Sequence, residues 1–120
     1  MDTVNHITNT SLIAILSAKR AAVYRAAAGA DRDLSADEAA TLMSYETVMM
    51  QETATTLAEA AAQIEIAAEQ AELLEALGDL SPAEAMARIS MIAAALRSAL
   101  PVVADAAGYV PVAFALPAAA

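Results

Sequence analysis

Cysteine is absent from the 120-residue sequence, which removes disulfides, thiolate nucleophiles and Cys-based metal sites together. Tryptophan is also absent and aromatic residues make up only 3%, so a core built on large rings is excluded. Basic residues number six against fifteen acids, for a net charge of −9. Nucleic acid is bound through clustered Lys and Arg and is therefore not an expected partner, nor is an anionic membrane surface. The single histidine, His6, has no Glu-x-x-His companion of the kind that holds iron in carboxylate bundles. Glycine occurs three times and proline four times, and neither falls between Ser35 and Leu77.

What is present is apolar and small. Hydrophobic residues reach 59%, and alanine supplies much of that count. A buried alanine contributes well below the roughly 1.5–3 kcal/mol of a buried Leu or Phe. Such a chain needs close backbone approach, and often a second chain, to bury enough surface.

Three helices have legible ends. The first is expected over about residues 9–28, with Asn9 or Thr10 as N-cap and Gly29 past its end. Ser35-Ala36-Asp37-Glu38 is a capping box that opens a second helix over residues 35–77. Its apolar stripe runs Leu42, Tyr45, Met49, Thr53, Leu57, Ala60, Ile64, Ala67, Ala71 and Leu74, in steps of three or four. A competing reading breaks this helix at Glu52–Thr56, where threonines cluster and Thr56 with Glu59 offers a further capping box; four helices and a self-contained four-helix bundle would then form. Ser81-Pro82-Ala83-Glu84 opens the last helix, residues 82–100, expected to turn Met86, Ile89, Ile92, Ala93 and Leu96 inward. The segment 101–120, interrupted by Pro101, Pro111 and Pro117, reads as an apolar arm. The expected class is all-α, with antiparallel helical hairpins around one long central helix in a single domain, residues 1–100, followed by that arm.

Charge is segregated. From Asp33 to Ala87 there are twelve acids and no Lys or Arg. Glu65, Glu69 and Glu72 share one helix face, a solvated surface or one offered to a basic partner protein. Lys19, Arg20 and Arg25 form the basic cluster of the first helix, able to pair with those acids at about 0–1 kcal/mol for each exposed pair. Glu65-x-x-x-Glu69 lacks the six or more shaped oxygens that a hard cation prefers. No nucleophile–base spacing and no phosphate-cradling Gly-rich loop occurs. No enzyme activity, cofactor or metal is expected.

The N-terminal DTVNHIT and the stretch ETATTLAEAAAQ resemble subunits of bacterial R-bodies, small Ala-rich helical proteins that polymerise into ribbons, while GADRDLSADEAA departs from that pattern. The resemblance implies polymerisation. The residue pattern likewise points to a non-enzymatic, self-associating structural subunit. Its expected assembly contacts are Leu57, Ile64, Leu73 and Leu77 on the central helix and Val112, Phe114 and Leu116 on the arm. The alternatives are a small acidic adaptor or inhibitor and an amphipathic coat on a hydrophobic granule. The N-terminus lacks a basic n-region and Arg97 with Asp105 interrupts the best apolar window, so a cytoplasmic chain without a transmembrane segment is expected, leaderless secretion staying compatible.

Overall fold

The computed structural model describes residues 11–76 and 78–112. Four helices and no strand occur among them: α1 (Leu12–Gly29), α2 (Ala36–Gln51), α3 (Leu57–Ala76) and α4 (Pro82–Ala107). The chain is all-α, as its periodicity and caps dictate. It divides into two compact units meeting at Glu52 and Thr53. The first holds α1 packed on α2 and the second α3 packed on α4.

The first hairpin is closed by local hydrogen bonds. The Ser11 hydroxyl accepts from the Ala14 N–H at 3.0 Å, so α1 starts slightly later than Asn9 or Thr10 would start it. Its far end is a Schellman turn: the Arg32 N–H reaches the Ala27 carbonyl and the Asp31 N–H the Ala28 carbonyl, both at 3.1 Å. The left-handed residue in that turn is Asp31 (φ 53°), not the expected Gly29, which is the last residue of the helix. Aspartate is one of the few side chains that tolerates this region. The expected capping box then opens α2 with both of its bonds made, Glu38 N–H to the Ser35 hydroxyl at 3.1 Å and Ser35 N–H to the Glu38 carboxylate at 2.9 Å. The short connection over residues 30–35 turns the chain back, and Arg20 of α1 meets Glu46 of α2 as an antiparallel register requires.

The long central helix expected over residues 35–77 is replaced by α2 and α3, and the competing break at Glu52–Thr56 is the one that forms. Side chains compete successfully with the helix ladder here. The Thr56 hydroxyl accepts from the Glu59 N–H at 3.2 Å, and the Glu59 carboxylate accepts from the Thr55 N–H at 2.7 Å and the Thr55 hydroxyl at 3.0 Å. A tertiary bond adds to these: the Ala54 N–H donates to the Ser98 hydroxyl of α4 at 2.8 Å. β-Branched threonines lower the helix preference of the segment, and these bonds supply the backbone with partners it would otherwise take from a continuous helix.

In the second hairpin Ala60 and Ala99 lie in one buried cluster with Ala54, and Arg88 donates to Gln70 at 2.5 Å, so α3 and α4 are also antiparallel. The expected helix end at Leu100 is passed. Helix α4 continues through Pro101 to Ala107 and stops at Gly108 (φ 68°), where a second Schellman turn joins the Tyr109 N–H to the Ala104 carbonyl at 2.9 Å. Proline removes one helical hydrogen bond, but Pro101 and Arg97, whose carbonyl loses its partner, are both exposed. Water can take that place. The apolar arm therefore begins after Gly108 rather than at Pro101.

Candidate functional site

The buried line of hairpin two is made of small and amide side chains. On α3 it comprises Ala60, Gln63, Ala67 and Gln70 with Glu59 and Ile66 beside them, and on α4 Ala95 and Ala99; Ala104 is buried too but lies about 140° around α4 from Ala99, off that line. Ala60 and Ala95 are 0% exposed. Alanine at facing positions lets the two backbones come close, and that closeness pushes the bulkier side chains onto the flanks. This overturns two expectations. Leu57 and Ile64, on the expected inward stripe, are exposed, whereas Ile66, which lies off that stripe, is buried. Met86, Ile89 and Leu96, expected to turn inward, are exposed as well.

The exposed apolar residues of α4 follow one line. Met86, Ile89, Ala93, Leu96, Leu100 and Val103 step by three, four, three, four and three, the spacing of a coiled-coil seam. Apart from half-buried Ala93, they are exposed by 36% at Val103 up to 59% at Met86. Each step of a helix turns about 100°. Ile89, Leu96, Leu100 and Val103 each follow directly on a residue that is buried or half-buried: Arg88, Ala95, Ala99 and Val102. Ile64 follows buried Gln63 on α3 in the same way. Antiparallel helices turn in opposite senses when viewed from one end, so residues one step past the buried line on both helices emerge on the same side. Leu57 and Ile64 therefore share a face with the α4 line. Ala61, Ala68 and Ala71 continue that face along α3, and no charged side chain interrupts it from Leu57 to Ala71 or from Met86 to Val103.

Of the expected assembly residues, Leu57 and Ile64 are thus brought together. Leu73 is exposed but lies about half a turn from Ile64 around α3, on the opposite flank. Val112 is exposed beyond the end of α4. Leu77, Phe114 and Leu116 lie outside the described residues, as does His6. The line of Met86, Ile89, Leu96, Leu100 and Val103 was missed as a surface. Its signal was the regular three-four spacing, running beside a second series of that spacing, Ala85, Arg88, Ile92, Ala95, Ala99 and Val102, which is buried or half-buried throughout.

Glu65, Glu69 and Glu72 do lie together along the outer side of α3, with Glu65 and Glu72 exposed and Glu69 half-buried. Glu65 and Glu72 form the rim of the apolar face on the α3 side, and Glu69 lies further round the helix. Arg97 holds the corresponding rim position on α4.

Charge in hairpin one is arranged differently. The Arg20 Nε donates to Glu46 Oε2 at 2.9 Å, with both side chains nearly buried, and the guanidinium carbon stands 5.1 Å from the ring centre of Tyr24. The expected neutralisation by the first helix thus includes a sheltered pair rather than only exposed ones. Arg32 grips Glu38 with two nitrogens at 2.6 and 3.0 Å. That hydrogen bond, then the Ser35 N–H, lowers the Glu38 carboxyl to about pKa 2, and Glu38 in turn raises Arg32. A shallow, open depression lined by Ala28, Asp31, Arg32 and Asp33 lies at this turn. Among the described residues no three His, Cys, Asp or Glu side chains gather as a metal site.

Despite Arg97 and Asp105, helix α4 is long and apolar enough, by length and composition alone, to cross a membrane. Comparisons with protein-family models, curated proteins and solved structures find no match for this chain.

Proposed function

We propose that this chain is a non-catalytic helical subunit that self-associates through the apolar face of its second hairpin. The observation that carries this reading is the exposed line Met86–Ile89–Leu96–Leu100–Val103 together with Leu57 and Ile64. Soluble monomers rarely leave a contiguous apolar face of several helical turns in water. Burial of such a side chain is worth up to roughly 1.5–3 kcal/mol, so one shared face supplies a substantial driving force. The acids at the rim keep the rest of the hairpin hydrated and limit association to the apolar face. A role as a structural or assembly unit follows from this chemistry.

Solution mass as a function of concentration and salt tests the proposal. Apolar association persists or strengthens in a salting-out salt such as sulfate, whereas capture of a basic partner by Glu65, Glu69 and Glu72 weakens as salt screens charge. A chain that remains at 12.3 kDa at every concentration would refute self-association. A second reading is favoured by the composition of α4: the same face adsorbs to a lipid or granule surface as a coat. Flotation with uncharged lipid vesicles separates it from the first.

A further inference from the structure

Resting on that reading, we infer that the occupant of the hairpin-two face is the same face of a second copy, related by a two-fold axis parallel to the helices, so that α3 of each chain lies against α4 of the other. Three features lead there. The three-four spacing on α4 is one that another helix fills, knobs into holes. On α3 the residues Leu57, Ala61, Ile64, Ala68 and Ala71 have the same spacing. Each hairpin thus offers two parallel seams, and two hairpins face to face complete a four-helix bundle with antiparallel neighbours.

Rim charge selects the orientation. Glu65 and Glu72 flank the α3 seam, and Arg97 flanks the α4 seam. A two-fold axis parallel to the helices sets the acidic rim of one copy against the arginine rim of the other. An axis perpendicular to the helices would instead stack α3 on its own copy, acid against acid. Gln70 pairs with Arg88 and Ala60 clusters with Ala99, so Glu65 lies at about the level of residue 94 on α4. Arg97 of the second chain is then about one helical turn or less away along the axis, at 1.5 Å per residue. The contact would be isologous, each copy giving the same Glu65-to-Arg97 pair.

The sequence contains no cysteine, so single introduced thiols report unambiguously. Ile64→Cys and Leu96→Cys full-length chains are prepared separately, mixed and oxidised gently. The expected result is a covalent heterodimer of the two variants in several-fold excess over either homodimer. Charge reversal gives an independent readout: Arg97→Glu raises the dimer dissociation constant about 3- to 10-fold, and adding Glu65→Arg restores it. Far-UV circular dichroism checks that each variant keeps its helices. An oligomer that forms but cross-links only as Ile64→Cys homodimers, or that ignores both charge changes, overturns this interface while leaving self-association standing. A chain that stays monomeric and floats with phosphatidylcholine vesicles overturns both, in favour of a lipid-seated face.

Discussion

The two hairpins solve the same problem with opposite materials. Hairpin one contributes large side chains to the interior, Ile13, Leu42, Met49 and Met50, and ties its helices with a sheltered Arg20–Glu46 pair. Hairpin two buries mostly alanines and amides, with Ile66 the one large apolar side chain fully inside among the described residues, and leaves a line of large apolar residues outside. Both are antiparallel and of similar build, so helix count and loop length do not separate them. What separates them is which residue size occupies the facing positions. Large residues inside give hairpin one a core of its own, although Leu12, Ile15, Tyr24 and Met43 stay exposed. Small residues inside bring the helices together and leave the apolar surplus for something else.

Breaking each hairpin at its own device sharpens the contrast. The largest effect is expected for Arg20→Leu, which removes the cationic partner of the nearly buried Glu46 carboxylate; such a loss typically costs about 3–5 kcal/mol. Amide hydrogen exchange should quicken throughout α1 and α2 and change little in α3 and α4. Unaltered protection in α1 would show that the pair is dispensable. Next comes Ala99→Leu, which forces a larger side chain against Ala60 and should destabilise α3 and α4 by about 1–3 kcal/mol. The neighbouring exposed Ala94→Leu is the control, expected within about 0.5 kcal/mol of the parent. Equal effects at the two positions would remove the alanine seam from the account. Thr56→Ala removes the hydroxyl that starts α3 and should lose about 1 kcal/mol, read as faster exchange in the first turn of α3.

The smallest effect is pH-dependent and confined to the turn of hairpin one. Because the folded-state value of Glu38 is depressed from 4.5 to about 2, its contribution is fully present above the ordinary carboxylate range. It is lost as pH falls through that interval, when the proton displaces Arg32. Exchange near Ser35–Glu38 should therefore quicken between about pH 4.5 and 2, and Glu38→Gln should flatten that response. A Gln variant with the same pH profile would assign it to other acids.

Much of the fold was legible because it is written in local chemistry. Ser35 with Glu38, and Ser81 with Pro82 and Glu84, mark helix starts by side-chain reach alone, and both caps form. The break at Thr53–Thr56 was legible only as an alternative. Its decisive bond, from Ala54 to Ser98, joins residues 44 apart, and no local pattern contains it. Pro101 misled for a related reason: proline ends a helix where its lost bond is buried, and here the exposed side of α4 absorbs the loss. The apolar site was the least legible. Helical periodicity finds two stripes on α4, a mixed one through Ala85, Arg88, Ile92, Ala95, Ala99 and Val102 and one of Met, Ile, Leu and Val, and transfer energy favours burying the second. The tighter helix approach allowed by Ala60 and Ala99 reverses that choice, and this is a property of the pair rather than of either helix. The Arg20–Glu46 contact is likewise set by the register of two helices.

The central claim is that the surplus on hairpin two is an assembly face, and Leu96 is at its middle. The most direct measurement is the light-scattering mass of the parent chain and of Leu96→Glu, eluted side by side at matched concentration, with circular dichroism on each peak. The account predicts a multiple of 12.3 kDa for the parent and a single helical chain for the variant. A parent that elutes as one chain, or a Leu96→Glu variant that assembles as the parent does, would contradict it.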